Sequence, residues 1–150
     1  MDFDLPMDWM VMDMPIVLDD GAYAPVREHD DDAGMDLRTP KDFILFAHGS
    51  IVINTGVHIA IPKGYYGRLE NKSGLHIRHD IVCLGGTIDC GYTGSIRVKL
   101  YNFGNKDYEF SAGDKLTQLV ILPYIAPRLV LTAKLEETER SDNGFGSTGK

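Results

Sequence analysis

Apolar and polar side chains alternate along many short segments of this chain, a spacing that predicts strands rather than helices. In residues 95–101, SIRVKLY, the apolar side chains of Ile96, Val98 and Leu100 fall on one face and the basic side chains on the other. Helical periodicity is weak, and only a short helical segment is predicted, near Leu75–His79. The predicted strands are Phe43–Phe46, Ser50–Ile53, Val57–Ile61, Tyr65–Glu70, Ile81–Leu84, Ser95–Phe103, Leu116–Leu122 and Arg128–Leu135.

Turns rich in Gly, Pro, Asn and Asp separate these segments, among them Pro62–Gly64 and Ala112–Asp114. Many short strands joined in this way are typical of an all-β sandwich or barrel. The two ends lack the pattern: residues 1–14 hold five of the six methionines, and residues 136–150 are polar and glycine-rich. We therefore predict an N-terminal extension (1–14), one β-domain (15–135) and a flexible C-terminal arm (136–150).

The formal net charge of −7 is unevenly distributed. Residues 1–42 carry 12 acidic and 3 basic side chains, whereas residues 43–150 carry 10 acidic and 12 basic ones. No basic stripe is present, so we expect no nucleic-acid partner. No apolar run approaches the ~20 residues of a membrane-spanning helix, and the start of the chain is acidic where a signal peptide is basic. These features predict a cytoplasmic protein without a membrane partner.

Two cysteines, Cys83 and Cys90, are too few for a disulfide framework and predict free thiols in a reducing compartment. With His76 and His79 they read H-x2-H-x3-C-x6-C, which has the residue types of a zinc site without its usual closely spaced cysteine pair. We therefore do not favour a zinc site. The signature of the zinc deaminases, H-x-E followed by P-C-x-x-C, is absent.

Three glycine-rich segments are candidates for chemistry. Residues 86–94, GTIDCGYTG, place a carboxylate and a tyrosine in one turn, where Asp89 serves either as a turn cap or as a general base. Residues 72–74, KSG, form either an anion site or an ordinary turn. Residues 144–149, GFGSTG, are either phosphate-binding or a solvated tail.

Five short motifs follow one another in a fixed order. They are DAGMDLRT (32–39), KSGL (72–75), GTIDCGYTG (86–94), GDKLTQLV (113–120) and RSDNGFGSTG (140–149). In this combination the chain resembles the trimeric dUTPase family, and the resemblance extends from Pro15 to Gly149. It implies a β jelly-roll homotrimer with an exchanged C-terminal arm and active sites between subunits. It also implies hydrolysis of dUTP to dUMP and pyrophosphate with Mg²⁺.

The resemblance assigns roles to individual residues. Asp89 would be the catalytic residue that activates the attacking water, and Tyr92 would pack against the deoxyribose and exclude a 2′-hydroxyl. Asp36 and Gln118 would hold Mg²⁺ through water, and Gln118 would also contact the substrate. The other expected substrate-binding residues are Lys72, Ser73, Gly74, Gly86, Thr87, Ile88, Lys99, Arg140, Phe145, Gly146, Ser147 and Thr148.

The chain departs from the family pattern at three places. Lys72 stands where arginine is common, and Cys83 lies about where the expected uracil hairpin, residues 81–89, usually carries a polar side chain. Asp142 and Asn143 stand where many members have a small residue and a glycine. One alternative is a dCTP deaminase-like or bifunctional enzyme, but the related deaminases need a glutamate in the third motif, where this chain has Thr93, which weighs against deamination. A regulatory binding protein on the same fold is the other alternative, although Asp89 and the glycine-rich arm favour retained catalysis.

Overall fold

The computed structural model describes residues 12–139 and 141. Eleven short strands and one helix make up this part of the chain. The strands are β1 (Ile16–Leu18), β2 (Gly34–Arg38), β3 (Phe43–Leu45), β4 (Ser50–Asn54), β5 (Val57–Ile59), β6 (Tyr65–Glu70), β7 (Ile81–Cys83), β8 (Thr87–Ile88), β9 (Arg97–Asn102), β10 (Tyr108–Phe110) and β11 (Lys115–Pro123). Helix α1 (Ser73–His79) lies between β6 and β7.

The strands form two main sheets and two strand pairs, and every strand pairing is antiparallel. The larger sheet has the order β2-β11-β6-β8, and the second has the order β4-β9-β7. The pairs β1-β5 and β10-β3 complete the strands. This arrangement fits the expected all-β jelly-roll sandwich.

One apolar core joins the sheets. Leu37 and Leu119 from the larger sheet and Ile53 and Val98 from the second are fully buried and belong to the same cluster. The alternation in β9 is confirmed, because Val98 and Leu100 are buried while the side chains between them are exposed. Two sheets that share one core in this way form a sandwich. No helix in the described part of the chain has the length and apolar character needed to cross a membrane.

The sequence pattern missed four strands, namely β1, β2, β8 and β10. Three of them have only two or three residues, too few for an alternation to be visible. In β2 both faces are largely covered, so a buried Asp36 precedes a buried Leu37 and the alternation is lost. The helical prediction is confirmed, and α1 begins two residues before the predicted segment.

The predicted strand Arg128–Leu135 is wrong for the chain as described. Residues 124–135 make no strand pairing, and the side chains of Ile125, Leu129 and Leu131 are 90%, 90% and 101% exposed. A strand needs a neighbouring strand edge to bond its backbone, and the described part of this chain offers none here. The segment thus exposes a row of apolar residues to solvent.

Candidate functional site

The carboxylate of Asp36 in β2 is held between two lysines. Lys72 Nζ donates to Oδ1 and Lys115 Nζ donates to Oδ2, each at 2.8 Å. Lys115 also donates to Glu28 at 2.7 Å. Asp36 is 4% exposed, so this is a largely buried charge with both oxygens paired. Lys115 and Glu28 were not expected from the sequence, although Lys115 lies inside the motif GDKLTQLV.

The two lysines decide the ionisation of Asp36. Burial alone would raise the pKa of this carboxyl, but hydrogen bonds from Lys115 and Lys72 outweigh it and hold the pKa below its usual value of 3.8. The hydrogen bond to Asp36, followed by that to Glu28, raises the pKa of Lys115. The carboxylate is therefore charged at neutral pH. Its ion pairs link the motif at 32–39 to the motifs at 72–75 and 113–120.

We expect Asp36→Asn to lower the free energy of unfolding by roughly 2–4 kcal/mol, because Lys72 then loses its counter-charge and Lys115 keeps only that of the exposed Glu28. The expected loss is below that of a fully buried pair, since the lysine side chains are 26% and 27% exposed. The contribution of Asp36 is complete above pH 3.8 and lost as pH falls through its lower folded pKa, so the variant should also lose part of its acid dependence. Urea unfolding at several pH values measures both effects.

Glu28→Gln is the matched control, because it removes only the outer ion pair of Lys115. The side chain of Glu28 is 60% exposed, and such a pair is worth about 0–1 kcal/mol. Equal losses in Asp36→Asn and Glu28→Gln would contradict the central position of Asp36 in this cluster.

Gln118 and the KSG segment lie close to Asp36. Gln118 in β11 is the direct register partner of Asp36, so both side chains emerge on the same face of the sheet. Ser73 is exposed and opens α1 next to Lys72. A Cβ built on Gly74 would meet no atom within 4 Å, so the described chain leaves the space above this residue open.

Residues 81–89, which the sequence predicts as a hairpin, border a cavity of about 440 Å³. The described chain does not form that hairpin, because β7 pairs with β9 and β8 pairs with β6. Gly86, Thr87, Asn71 and Cys83 line the cavity, and the Oδ1 atom of Asn71 accepts the N–H of Cys83 at 2.7 Å. A polar side chain thus does reach this segment, but it comes from the residue after β6 and not from the position of Cys83. Its signal in the sequence was its place directly before the motif KSGL.

Asp89 lies at the edge of a second cavity of about 350 Å³, lined also by Tyr66, Thr87, Cys90 and Tyr124. Its carbonyl accepts the N–H of Tyr92 at 2.9 Å, which closes a tight turn over residues 89–92. Asp89 is exposed, and its carboxylate makes no hydrogen bond or ion pair within residues 12–139. Because the Asp89 carboxylate makes no such contact and lies at the mouth of a cavity, it is suited to accept a proton from a bound molecule.

Tyr92 is fixed by its own turn. Its hydroxyl donates to the carbonyl of Ser95 at 2.9 Å, and the ring lies so close to Gly94 that a Cβ there would come within 2.5 Å of the hydroxyl oxygen. The side chain remains 43% exposed. The ring is therefore presented to solvent in one orientation, next to Asp89.

The chain does not bring all of these residues together. Asp89 follows β8 and lies near Tyr66, because Ile88 pairs with Gly67. Lys72 and Ser73 follow Glu70, which lies at the opposite end of β6, roughly 13 Å from Tyr66 at about 3.3 Å per residue. No hydrogen bond or ion pair joins the two groups in the described part of the chain. A single chain thus presents two partial sites, at opposite ends of one strand.

The remaining predicted site residues divide into three sets. Thr87 and Ile88 form β8 itself, and Gly86 accepts the N–H of Leu69 at 3.2 Å. Lys99 lies on the exposed face of β9, where its carbonyl accepts the N–H of Leu84 at 2.9 Å. The predicted site residues of the C-terminal arm lie outside the described residues. They are Arg140, Phe145, Gly146, Ser147 and Thr148.

Cys83 and Cys90 are free thiols, as the sequence predicted. Within the described residues, no three or more His, Cys, Asp or Glu side chains are arranged to hold a metal ion.

Comparison with known proteins identifies relatives over most of the chain. A family model described as dUTPase matches residues 20–149. The deoxyuridine 5′-triphosphate nucleotidohydrolase of Paramecium bursaria Chlorella virus 1 is 37% identical over 130 residues, covering 87% of this chain and 92% of the relative. The solved structure of Staphylococcus bacteriophage 80alpha dUTPase with dUPNHPP is 28% identical with a TM-score of 0.86, covering 93% of this chain and all of that chain. A mutant dUTPase of phage phi11 of S. aureus, solved with a structural Mg(II) ion, is 28% identical with a TM-score of 0.78, covering 84% of this chain and all of that one.

Proposed function

Because the chain belongs to the dUTPase family, we propose that it hydrolyses dUTP to dUMP and pyrophosphate with Mg²⁺, by attack of water on the α-phosphorus. The observation that carries the proposal is the family match over residues 20–149, which includes the exposed carboxylate of Asp89 at a cavity mouth. Such a reaction needs a positioned water and stabilisation of charge on phosphate, and it needs no covalent intermediate.

Asp89 is the general base in this proposal. The tight turn at 89–92 presents its carboxylate to solvent beside Thr87 and Tyr66, where an attacking water can bind. The carboxylate takes a proton from that water as the water oxygen bonds to phosphorus and pyrophosphate leaves. Such proton transfer contributes roughly 10²–10⁴-fold to the rate.

Asp36 and Gln118 fit a magnesium ion that is bound through water. They are register partners on one sheet face, and the two lysines occupy only part of the lone-pair capacity of the carboxylate. Mg²⁺ keeps several waters and takes its other ligands largely from substrate phosphates, so a direct protein cage is not required. When bound, the ion would stabilise negative charge on the phosphate oxygens.

Lys72, Ser73 and Gly74 would bind phosphate oxygens next to this pair. Lys72 donates one hydrogen bond to Asp36 and retains further N–H groups, because an ammonium has three donors. From the arm, Arg140, Ser147 and Thr148 would hold the outer phosphates, Phe145 with Gly146 would cover the uracil, and Lys99 would add positive charge. These assignments rest on the motif order in the sequence.

The segment of residues 81–89 would select the base. Uracil presents an acceptor at O4 and a donor at N3, and cytosine reverses both, so fixed backbone groups reject cytosine by leaving polar atoms unpaired. The N–H of Cys83 and the carbonyl of Gly86 are already bonded to Asn71 and Leu69. Uracil would therefore be recognised by other backbone groups of this segment, with Ile88 packing nearby.

We further propose a homotrimer with active sites between subunits. Two observations support it: the partial sites lie at opposite ends of β6, and residues 124–135 expose apolar side chains without a strand partner in the described chain. A second copy would supply both the missing half of the site and a strand edge. In this arrangement the C-terminal arm reaches the site of another subunit. The cytoplasmic location stays a prediction.

The direct test is to measure pyrophosphate release from dUTP, dCTP, dTTP and UTP with Mg²⁺ and to repeat it after removal of the metal with a chelator. We expect dUTP to be the only one of the four nucleotides that is hydrolysed at a high rate. We also expect this hydrolysis to stop when the metal is removed. Release of ammonia from dCTP would support the deaminase alternative instead. No turnover of any of the four nucleotides would contradict the proposed hydrolysis and favour a regulatory binding protein.

Tyr92→Ala should reduce the preference for dUTP over UTP roughly 10–100-fold, because the ring would occupy the space that a 2′-hydroxyl needs. The measured quantity is the ratio of kcat/KM for the two nucleotides. Tyr92→Phe is the matched control: it keeps the ring and loses only the hydrogen bond to Ser95, so most of the preference should remain. An unchanged ratio in Tyr92→Ala would place the discrimination elsewhere.

A further inference from the structure

His58 lies between two hydrogen-bond acceptors that belong to different parts of the fold. Its Nδ1 atom is 2.9 Å from the carbonyl oxygen of Thr93, and its Nε2 atom is 3.2 Å from Oδ1 of Asp19. His58 is the central residue of β5, Asp19 follows β1, and Thr93 is next to Tyr92 in the turn of the third motif. The imidazole thus ties that turn to the β1-β5 pair.

Both contacts are hydrogen bonds only when the ring is protonated. A carbonyl and a carboxylate have no proton to donate, and a neutral imidazole carries a single N–H. The Thr93 carbonyl, opposed by burial and assisted by the Asp19 carboxylate, raises the pKa of His58 above its usual value of 6.5. These two groups face the ring from the turn and from the β1 side. The double contact is therefore complete below that pKa, and one bond is lost as pH rises through it.

The other contacts that hold this turn do not titrate. The N–H of Ile96 donates to the carbonyl of Val57 at 2.9 Å, and the hydroxyl of Thr55 donates to the carbonyl of Ile96 at 2.8 Å. The Ser95 hydroxyl bonds the side chain of Asn54. These bonds fix the end of the turn that enters β9. The bond from His58 to Thr93 adds to the bonds that Tyr92 itself makes to Asp89 and Ser95, and it is the one among these that depends on a histidine proton.

We propose that His58 is a positioning residue for Tyr92, whose protonated ring holds the turn in the conformation that discriminates against a 2′-hydroxyl. The inference rests on the proposed hydrolysis of dUTP and adds a residue that controls its sugar selectivity. Loss of the ring proton leaves a single N–H for two acceptors, so the bond to Thr93 is formed only in one of the two tautomers and the turn gains freedom next to Tyr92. Selectivity for dUTP over UTP therefore decreases as pH rises.

The test compares the ratio of kcat/KM for dUTP and UTP between about pH 5.5 and 9, a range in which histidine titrates. His58→Gln cannot donate to both acceptors, so its ratio at low pH should be roughly two- to tenfold lower and independent of pH, the range that one hydrogen bond is worth. Asp19→Asn keeps an acceptor without its charge, so the decrease should move to lower pH. His48→Gln is the control: within residues 12–139 the His48 side chain hydrogen-bonds Asn105 at 2.9 Å and no group of the 89–92 turn, so this variant should behave as wild type.

A second measurement needs no substrate. In the ligand-free protein, the NMR signals of the Tyr92 ring and the Thr93 amide should shift with the midpoint of His58 in wild type, and should not shift in His58→Gln. A protein inactive on dUTP would contradict the proposed function while this measurement still tests the coupling. Wild-type selectivity and pH profiles in both His58→Gln and Asp19→Asn, or Tyr92 signals that ignore the titration of His58, would overturn the proposal.

Discussion

Replacement of Asp89 by asparagine should reduce kcat for dUTP by about 10²–10⁴-fold and leave folding and nucleotide binding nearly unchanged. The carboxylate makes no hydrogen bond or ion pair within residues 12–139, so the amide disturbs no contact there. An amide of the same shape cannot take the proton from the attacking water. Pyrophosphate release gives kcat, and calorimetry with the analogue dUpNHpp gives the affinity.

Asp114→Asn is the matched control for this variant. Asp114 lies in another exposed turn, where its Oδ2 accepts the N–H of Ser111 at 2.8 Å, and an asparagine can accept the same bond. Its kcat should stay within about twofold of wild type, as for most surface substitutions. Near-normal turnover of Asp89→Asn would remove Asp89 from the mechanism. Equal losses in both variants would indicate a general effect of charge.

A chain truncated before Arg140 and a full-length Asp89→Asn chain should each be inactive alone and regain activity when refolded together. The arm would exclude water and complete the site, as lids do. If it serves another subunit, some sites combine Asp89 from the truncated chain with the arm of the other. Random 1:1 mixing should restore about one quarter of the sites, because each of the two parts is intact with a probability of about one half.

Two controls sharpen the complementation experiment. Truncated chain refolded with a truncated Asp89→Asn chain contains no arm and should remain inactive. Folded trimers mixed without refolding should regain activity only as fast as subunits exchange. If mass spectrometry detects hybrid trimers and the mixture is still inactive, the arm acts on its own subunit and the shared-site proposal fails.

The sequence predicted those parts of the fold in which a local pattern dominates. In β9 the alternation of Val98 and Leu100 with charged residues corresponds directly to burial, because one face of that strand packs on the core. In β2 the pattern gave no signal, since a charged residue is buried there by lysines distant in sequence. The segment Arg128–Leu135 has the apolar pattern of a strand and lacks a neighbouring edge in the described chain.

The candidate site follows the same rule. Asp89 and Tyr92 could be selected from one glycine-rich turn, because all the constraints on that turn lie within a few residues. The partners of Asp36 could not, since Lys72 is 36 residues away and reaches it only after β2, β11 and β6 have paired. The bond between His58 and Thr93 spans 35 residues, and neither residue stands out in the sequence.

The open space at Gly74 has a consequence for how freely the second motif can vary. A glycine inside a helix costs about 0.5–1 kcal/mol relative to alanine, and such a cost is usually repaid by close packing or by an unusual backbone conformation. At Gly74 the described chain provides neither, since a Cβ there would touch nothing within 4 Å and the backbone lies outside the left-handed region. The fold of one chain would thus accept alanine at this position. The lack of a side chain at Gly74 would therefore benefit only a molecule that approaches from outside the described chain, such as a phosphate group or a neighbouring subunit.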